Sequence, residues 1–125
     1  MRYPLKKQTM LPNRHFEERP WGSFERFTAN EATTLKIVRV SADKRLSLQK
    51  HTRRAEFWKV IEGSGVIRVG NDEREAQVGD EIEIPVGALH RLTGGPGGIA
   101  VLEIAFGDFD ENDTERIEDD FGRVP

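Results

Sequence analysis

The sequence predicts an all-β fold, a jelly-roll barrel of short strands carried behind an extended N-terminal arm, and three observations lead there. Apolar residues recur with period two and not with the helical period of 3.6. Glycine, asparagine and proline punctuate the chain at short intervals from Trp21 onward. The 125 residues are enough to enclose one core. A meander of short paired strands leaves exposed edges unless it curls on itself, which favours closure into a barrel or jelly roll.

In chain order, residues 1–19 are assigned to the arm, because they hold Pro4 and Pro12 and no apolar period. Residues 20–125 form the barrel domain. Strands are expected at 22–27, 34–40, 46–51, 56–62, 66–69, 74–78, 81–84, 89–93 and 99–106. Within them Leu35 and Ile37 oppose Lys36, Val38 and Val40, and Ile82 and Ile84 oppose Glu81 and Glu83. Gly63-Ser64-Gly65 and Gly70-Asn71-Asp72 are read as hairpin turns, since glycine and asparagine accept positive φ. Thr93-Gly94-Gly95-Pro96-Gly97-Gly98 is read as a loop.

Composition narrows the function. The chain has no cysteine, so any metal must sit on nitrogen and oxygen ligands. A net charge of −3 and the absence of a basic stripe speak against nucleic acid and anionic membranes as partners. No apolar run follows the first lysines, so neither a secretory signal nor a membrane span is expected, and the reading is cytoplasmic. Charge is unevenly placed: Arg2, Lys6, Lys7 and Arg14 make the start basic, while residues 108–120 carry eight carboxylates. These are either solvated ends or an arm reaching a neighbouring subunit's acidic tail. A homodimer is expected, because small barrels with an extended arm pair through edge strands.

Two of the three histidines lie in strand-like segments beside other donors. Gln49 and His51 share one strand face, Glu56 opens the next strand, and His90 follows a turn shaped by Pro85 and Gly87. His15, in the arm, has no such company and is read as exposed. Glu103 is the one carboxylate of the apolar run 101–106, so it faces either water or a polar cavity. Lys59 has the parity of the outer face, and Trp58 shares the face of Glu56.

These residues fall into two motifs, Gln49-x-His51-x4-Glu56-x6-Gly63 and Gly79-x5-Pro85-x-Gly87-x2-His90-x3-Gly94, in an order that resembles the cupin superfamily. Gln49 stands where cupins usually have histidine, Gly94 where they have asparagine, and Asp43 or Lys44 where a glycine precedes the first motif. Glu18 to Phe24, Arg45 to His51, Arg54 to Trp58, Ile84 to Leu92 and Asp119 to Arg123 further resemble the type II mannose-6-phosphate isomerase domain. Glutamine in place of the first histidine is a feature of that family. Thr52, Arg53 and Phe57 depart from it, since histidines are frequent there.

The resemblance implies a cupin-type double-stranded β-helix holding one divalent metal ion on Gln49, His51, Glu56 and His90. Zinc is the first choice, with Mn, Fe, Co or Ni also compatible with two imidazoles, a carboxylate and an amide oxygen. It further implies aldose–ketose isomerisation of a sugar phosphate of the mannose 6-phosphate type. Glu103 is then the first candidate to move the proton, and Arg54 and Arg91 are the first candidates to anchor the phosphate, ahead of Arg45, Lys50 and Arg53. Two other readings stand beside it: a non-catalytic metal-bearing cupin that binds a sugar or small anion, and an iron-dependent oxygenase built on His51, His90 and Glu56.

Overall fold

The computed structural model describes residues 10–124. Within them run β1 (His15–Arg19), β2 (Gly22–Arg26), β3 (Thr33–Val40), β4 (Leu48–Lys50), β5 (Arg54–Val69), β6 (Asp72–Gln77), β7 (Glu81–Ile84), β8 (His90–Gly107) and β9 (Glu115–Glu118). No helix among the described residues is long and apolar enough to cross a membrane.

The architecture hangs on two long strands. β5 and β8 pair antiparallel from Arg54↔Gly107 at one end to Val69↔His90 at the other. β3 and β7 flank one half of this pair, and β6 and β4 flank the other, with β9 beyond β4. Both long strands therefore run through both halves of one seven-stranded sheet that curls on itself, and Val40, Trp58, Val60, Ile67, Ile82, Ile84, Leu92, Ile99 and Val101 form its core. This is the predicted jelly roll.

Two local expectations fail at the bend. Gly63-Ser64-Gly65 lies inside β5 and is not a turn, and Gly94 to Gly98 lies inside β8 and is not a loop. The glycines serve close approach of backbones: a Cβ on Gly65 would collide with the Thr93 carbonyl, and one on Gly94 with that of Ser41. The register shifts between Val60 and Glu62 and between Gly63 and Gly65 mark the corner itself. Gly70-Asn71 does form the β5–β6 hairpin turn. Asp43, with φ of 60°, takes up the left-handed conformation that glycine adopts most readily.

Residues 1–9 of the expected arm lie outside the described residues. In the remainder, β1 pairs with β2 around Pro20-Trp21. Just before it, Leu11 packs on Phe57 and Ile104 of the outer sheet face. Arg14 joins Glu81 at 2.7 Å and Glu25 at 2.6 Å, and Lys59 donates to Glu25 at 3.1 Å on the outer face, as its parity predicted. Burial pushes the Glu81 carboxyl up, but the hydrogen bonds and charge of Arg14 with the charge of Lys59 outweigh it and hold it below its ordinary value.

The acidic segment keeps most of its carboxylates exposed to solvent. It folds back on its own barrel, with β9 antiparallel to β4. Asp120 pairs with Arg45 at 2.7 Å, Glu118 with Arg91 at 3.1 Å, Glu111 with Lys36 at 3.3 Å and Asp110 with Arg53 at 3.3 Å.

Candidate metal centre

His51 follows β4 directly, Glu56 lies near the start of β5, and His90 opens β8. The fold brings all three into its interior, with one donor atom from each lying within 4.8 Å of the others. The turn at 85–88 ties the two histidine segments together, since the Gly87 N–H donates to the His51 carbonyl at 2.9 Å. Gln49 stands beside His90 in the β4–β8 register. Its Nε2 donates to Ser47 Oγ at 3.0 Å, which leaves Oε1 as the atom available for ligation.

The two imidazoles are held in one tautomer. His51 Nδ1 lies 2.7 Å from the Asp113 carbonyl oxygen, and His90 Nδ1 lies 2.9 Å from that of Ala88. A carbonyl only accepts, so Nδ1 carries the proton in both rings and Nε2 presents its lone pair. Both Nε2 atoms point at Glu56, at 3.3 Å from Oε2 and 3.7 Å from Oε1. Burial draws both imidazoles below their ordinary pKa, which keeps them neutral. Burial pushes Glu56 up, and the Arg54 guanidinium, charged and donating to its Oε2, holds it below its ordinary value and so ionised. Two neutral imidazoles and a carboxylate converging on one point fit a divalent ion of the Zn, Mn, Fe, Co or Ni class.

Glu103 faces this cluster, not water. It sits in the cross-strand row Lys36, Glu103, Trp58, and the Trp58 indole N–H donates to Glu56 at 3.1 Å and to Glu103 at 3.2 Å. Glu103 Oε2 accepts no hydrogen bond, although Lys36 Nζ is 3.6 Å away. Burial, followed by the charge of Glu56, pushes the Glu103 carboxyl up to about 7. Trp58 is a core residue that also bridges the two carboxylates.

The two arginines expected to anchor phosphate are engaged elsewhere. Arg54 is buried, and its three nitrogens face Glu56 Oε2 at 2.9 Å, the Asp110 carbonyl at 3.0 Å and His51 Nε2 at 3.3 Å, with the guanidinium stacked over Phe109. It orients Glu56 from within the cluster. Arg91 is not brought to the cluster, because neighbours on a strand point to opposite faces; it binds the Leu46 carbonyl at 2.9 Å and Glu118 at 3.1 Å. Lys50, Arg45 and Arg53 pair with Glu115, Asp120 and Asp110. His15 is exposed beside Glu17.

Sequence reasoning missed Lys36, Phe109 and Asp113. The Asp113 carboxylate accepts from Thr52 Oγ1 at 2.7 Å, Arg53 N at 2.9 Å and Thr52 N at 3.0 Å. The Thr52 hydroxyl, then its N–H, then Arg53 hold that carboxyl down to about 2. Nothing in the local sequence separates Asp113 from the seven other acids of 108–120.

The family model described as mannose-6-phosphate isomerase C-terminal matches residues 6–119. Mannose-1-phosphate guanylyltransferase ManC of Salmonella typhimurium is 35% identical over 109 residues, which are 85% of this chain and 22% of that protein. Alginate biosynthesis protein AlgA of Pseudomonas aeruginosa is 34% identical over 109 residues, again 85% of this chain and 22% of the relative. The chain thus spans about a fifth of the length of these relatives. Among solved structures, the capsular polysaccharide assembling protein CapF of Staphylococcus aureus superposes with a TM-score of 0.58 at 22% identity, over 84% of this chain and 32% of that one. A predicted oxalate decarboxylase of Thermotoga maritima does so with a TM-score of 0.55 at 17% identity, over 59% and 65%. At these identities the two structures speak for the shared cupin jelly roll alone.

Proposed function

The chain belongs to the mannose-6-phosphate isomerase C-terminal family, and from that premise we propose that it is a metal-dependent aldose–ketose isomerase of the mannose 6-phosphate/fructose 6-phosphate type, working in the cytoplasm. The observation that carries this reading is the juxtaposition of the His51–Glu56–His90 cluster with the buried, proton-retaining Glu103.

A bound divalent ion, zinc first, would polarise the sugar's carbonyl and hydroxyl oxygens. His51, Glu56 and His90, with Oε1 of Gln49, would hold it. Glu103 moves the proton between adjacent carbons, because a carboxyl that titrates near neutrality both accepts and returns it. Trp58 keeps the Glu56 and Glu103 carboxylates at fixed separation through its one N–H. Arg54 holds Glu56 in place, and Lys36 is the cation next to Glu103.

The decisive measurement is metal content together with conversion of mannose 6-phosphate to fructose 6-phosphate, before and after chelation, with Gln49→Ala and His90→Ala. Turnover that needs metal and is lost in both variants is the expected result. Bound metal without turnover would move the function to binding of a sugar or small anion. His51, His90 and Glu56 taken by themselves are also the donor set of non-haem iron oxygenases, so oxygen consumption with Fe²⁺ is followed in the same samples.

The proposal includes a homodimer. β3 pairs only with β8 among the described residues, and it turns Leu35 and Ile37 to solvent at 57% and 50% exposure. An eight-residue strand whose second edge is unpaired among the described residues, with two exposed aliphatics, suits an antiparallel partner strand from a second copy. Leu35→Lys with Ile37→Lys is expected to convert a dimer to a monomer in sedimentation velocity; a monomeric parent protein would refute the dimer.

A further inference from the structure

The segment that opens with Phe109 meets the candidate metal centre through Phe109, Asp110 and Asp113. Phe109 lies under the Arg54 guanidinium at 4.6 Å, and the Asp110 carbonyl accepts from Arg54 Nη1 at 3.0 Å. Asp113 then meets the centre through both of its acceptors. Its main-chain carbonyl takes the Nδ1 proton of His51 at 2.7 Å. Its side chain gathers Thr52 N, Thr52 Oγ1 and Arg53 N, the first donors after His51. Residues 52–53 make the connection between His51 and β5, which carries Glu56. One aspartate therefore fixes both the ring of one ligand and the link between two ligands.

We propose that Asp113 is a positioning residue for the metal centre and that residues 109–118 act as a clasp on it. The inference rests on the metal reading above. The carboxylate holds the 52–53 connection so that the Asp113 carbonyl faces His51 Nδ1, and this keeps the Nε2 lone pair turned toward Glu56. Partners of this kind, which orient a ligand without binding the metal, commonly contribute 10- to 100-fold in affinity.

Asp113→Asn tests it, since the amide offers one acceptor oxygen where the carboxylate offers two, and places an N–H₂ against a donor. Two quantities are read: the His51 tautomer from imidazole ¹⁵N shifts, which needs no metal, and Zn²⁺ affinity in competition with a chromophoric chelator. The expected result is a mixed His51 tautomer and an affinity lower by about 10- to 100-fold. Asp120→Asn, two residues beyond the clasp, weakens the Arg45 pair and is expected to change neither. Should Asp113→Asn not fold, Thr52→Val removes one of the three side-chain bonds and is expected to shift both readouts the same way by less. An unchanged tautomer and affinity in the folded variant, or an equal loss in Asp120→Asn, overturns the proposal. If the parent protein takes up no Zn²⁺ while Asp113→Asn still disturbs the tautomer, the metal reading fails and the positioning role stands.

Discussion

Glu56→Ala is expected to cost about 3–5 kcal/mol of stability and to remove metal uptake together with turnover. The carboxylate is buried, and both its oxygens are in use: Oε2 accepts from Arg54 at 2.9 Å, and Oε1 accepts from Trp58 at 3.1 Å. Alanine leaves the Arg54 guanidinium, itself buried, without its counter-charge, and this dominates the cost. The Trp58 N–H keeps Glu103 as an acceptor, so its contribution is smaller. Glu56→Gln separates the two effects, because it preserves volume and one acceptor oxygen while removing the charge that faces both imidazoles. Urea unfolding should place the glutamine variant between the parent and the alanine variant, with metal affinity low in both. Equal stability of all three proteins would mean that Arg54 finds another partner and that the buried pair has been misread.

Glu103→Gln is expected to do the reverse for stability while lowering turnover on the order of 10²- to 10⁴-fold. The folded-state carboxyl keeps its proton up to about 7, whereas an unburied glutamate releases it near 4.5. Between those values the folded protein binds the extra proton, so its stability is full below the lower value and is lost as pH rises through the higher one. Glutamine is never charged and escapes that loss. In metal-stripped protein the variant should match the parent near pH 4.5 and exceed it above pH 7 by up to about 3 kcal/mol. Unfolding curves at the two pH values report it. A variant less stable than the parent at high pH would show that the Lys36–Glu103 pair, at 3.6 Å, outweighs the burial.

Much of the fold and of the ligand set is legible in the amino-acid order, because strand chemistry writes itself into a chain with period two. Gln49 and His51 share a face by parity and the Gly79 to Gly94 motif places His90 at a strand start, but it is the resemblance to the cupin motifs that offers these positions as ligands. The corner is not legible. Gly63, Gly65 and Gly94 carry the composition of turns, yet they are needed for the close approach of two backbones, and composition does not distinguish these uses. β9 is hidden for a different reason: Glu115-Arg116-Ile117-Glu118 has almost no apolar alternation, because its pairing to β4 is secured by backbone bonds and charge. Arg91, which the resemblance offers as a phosphate anchor, turns away from His90 because neighbours on a strand face opposite ways. Asp113 acts through a main-chain carbonyl, which every residue possesses, so no side-chain pattern announces it.

The clasp has a consequence for the order in which the molecule assembles. His51 and the carbonyl that fixes its ring are 62 positions apart, and β5, β6, β7 and β8 all lie between them. Loop closure over such a span is entropically unfavourable until the intervening strands have paired, so contacts of this kind form late on the folding route. A nascent chain on the ribosome can lay down the β5–β6 hairpin early, but it cannot orient His51 until residue 113 has emerged and β9 has zipped onto β4. Native-like metal capture would then mark a chain that has finished folding, and partly synthesised chains would carry the ligands without the site.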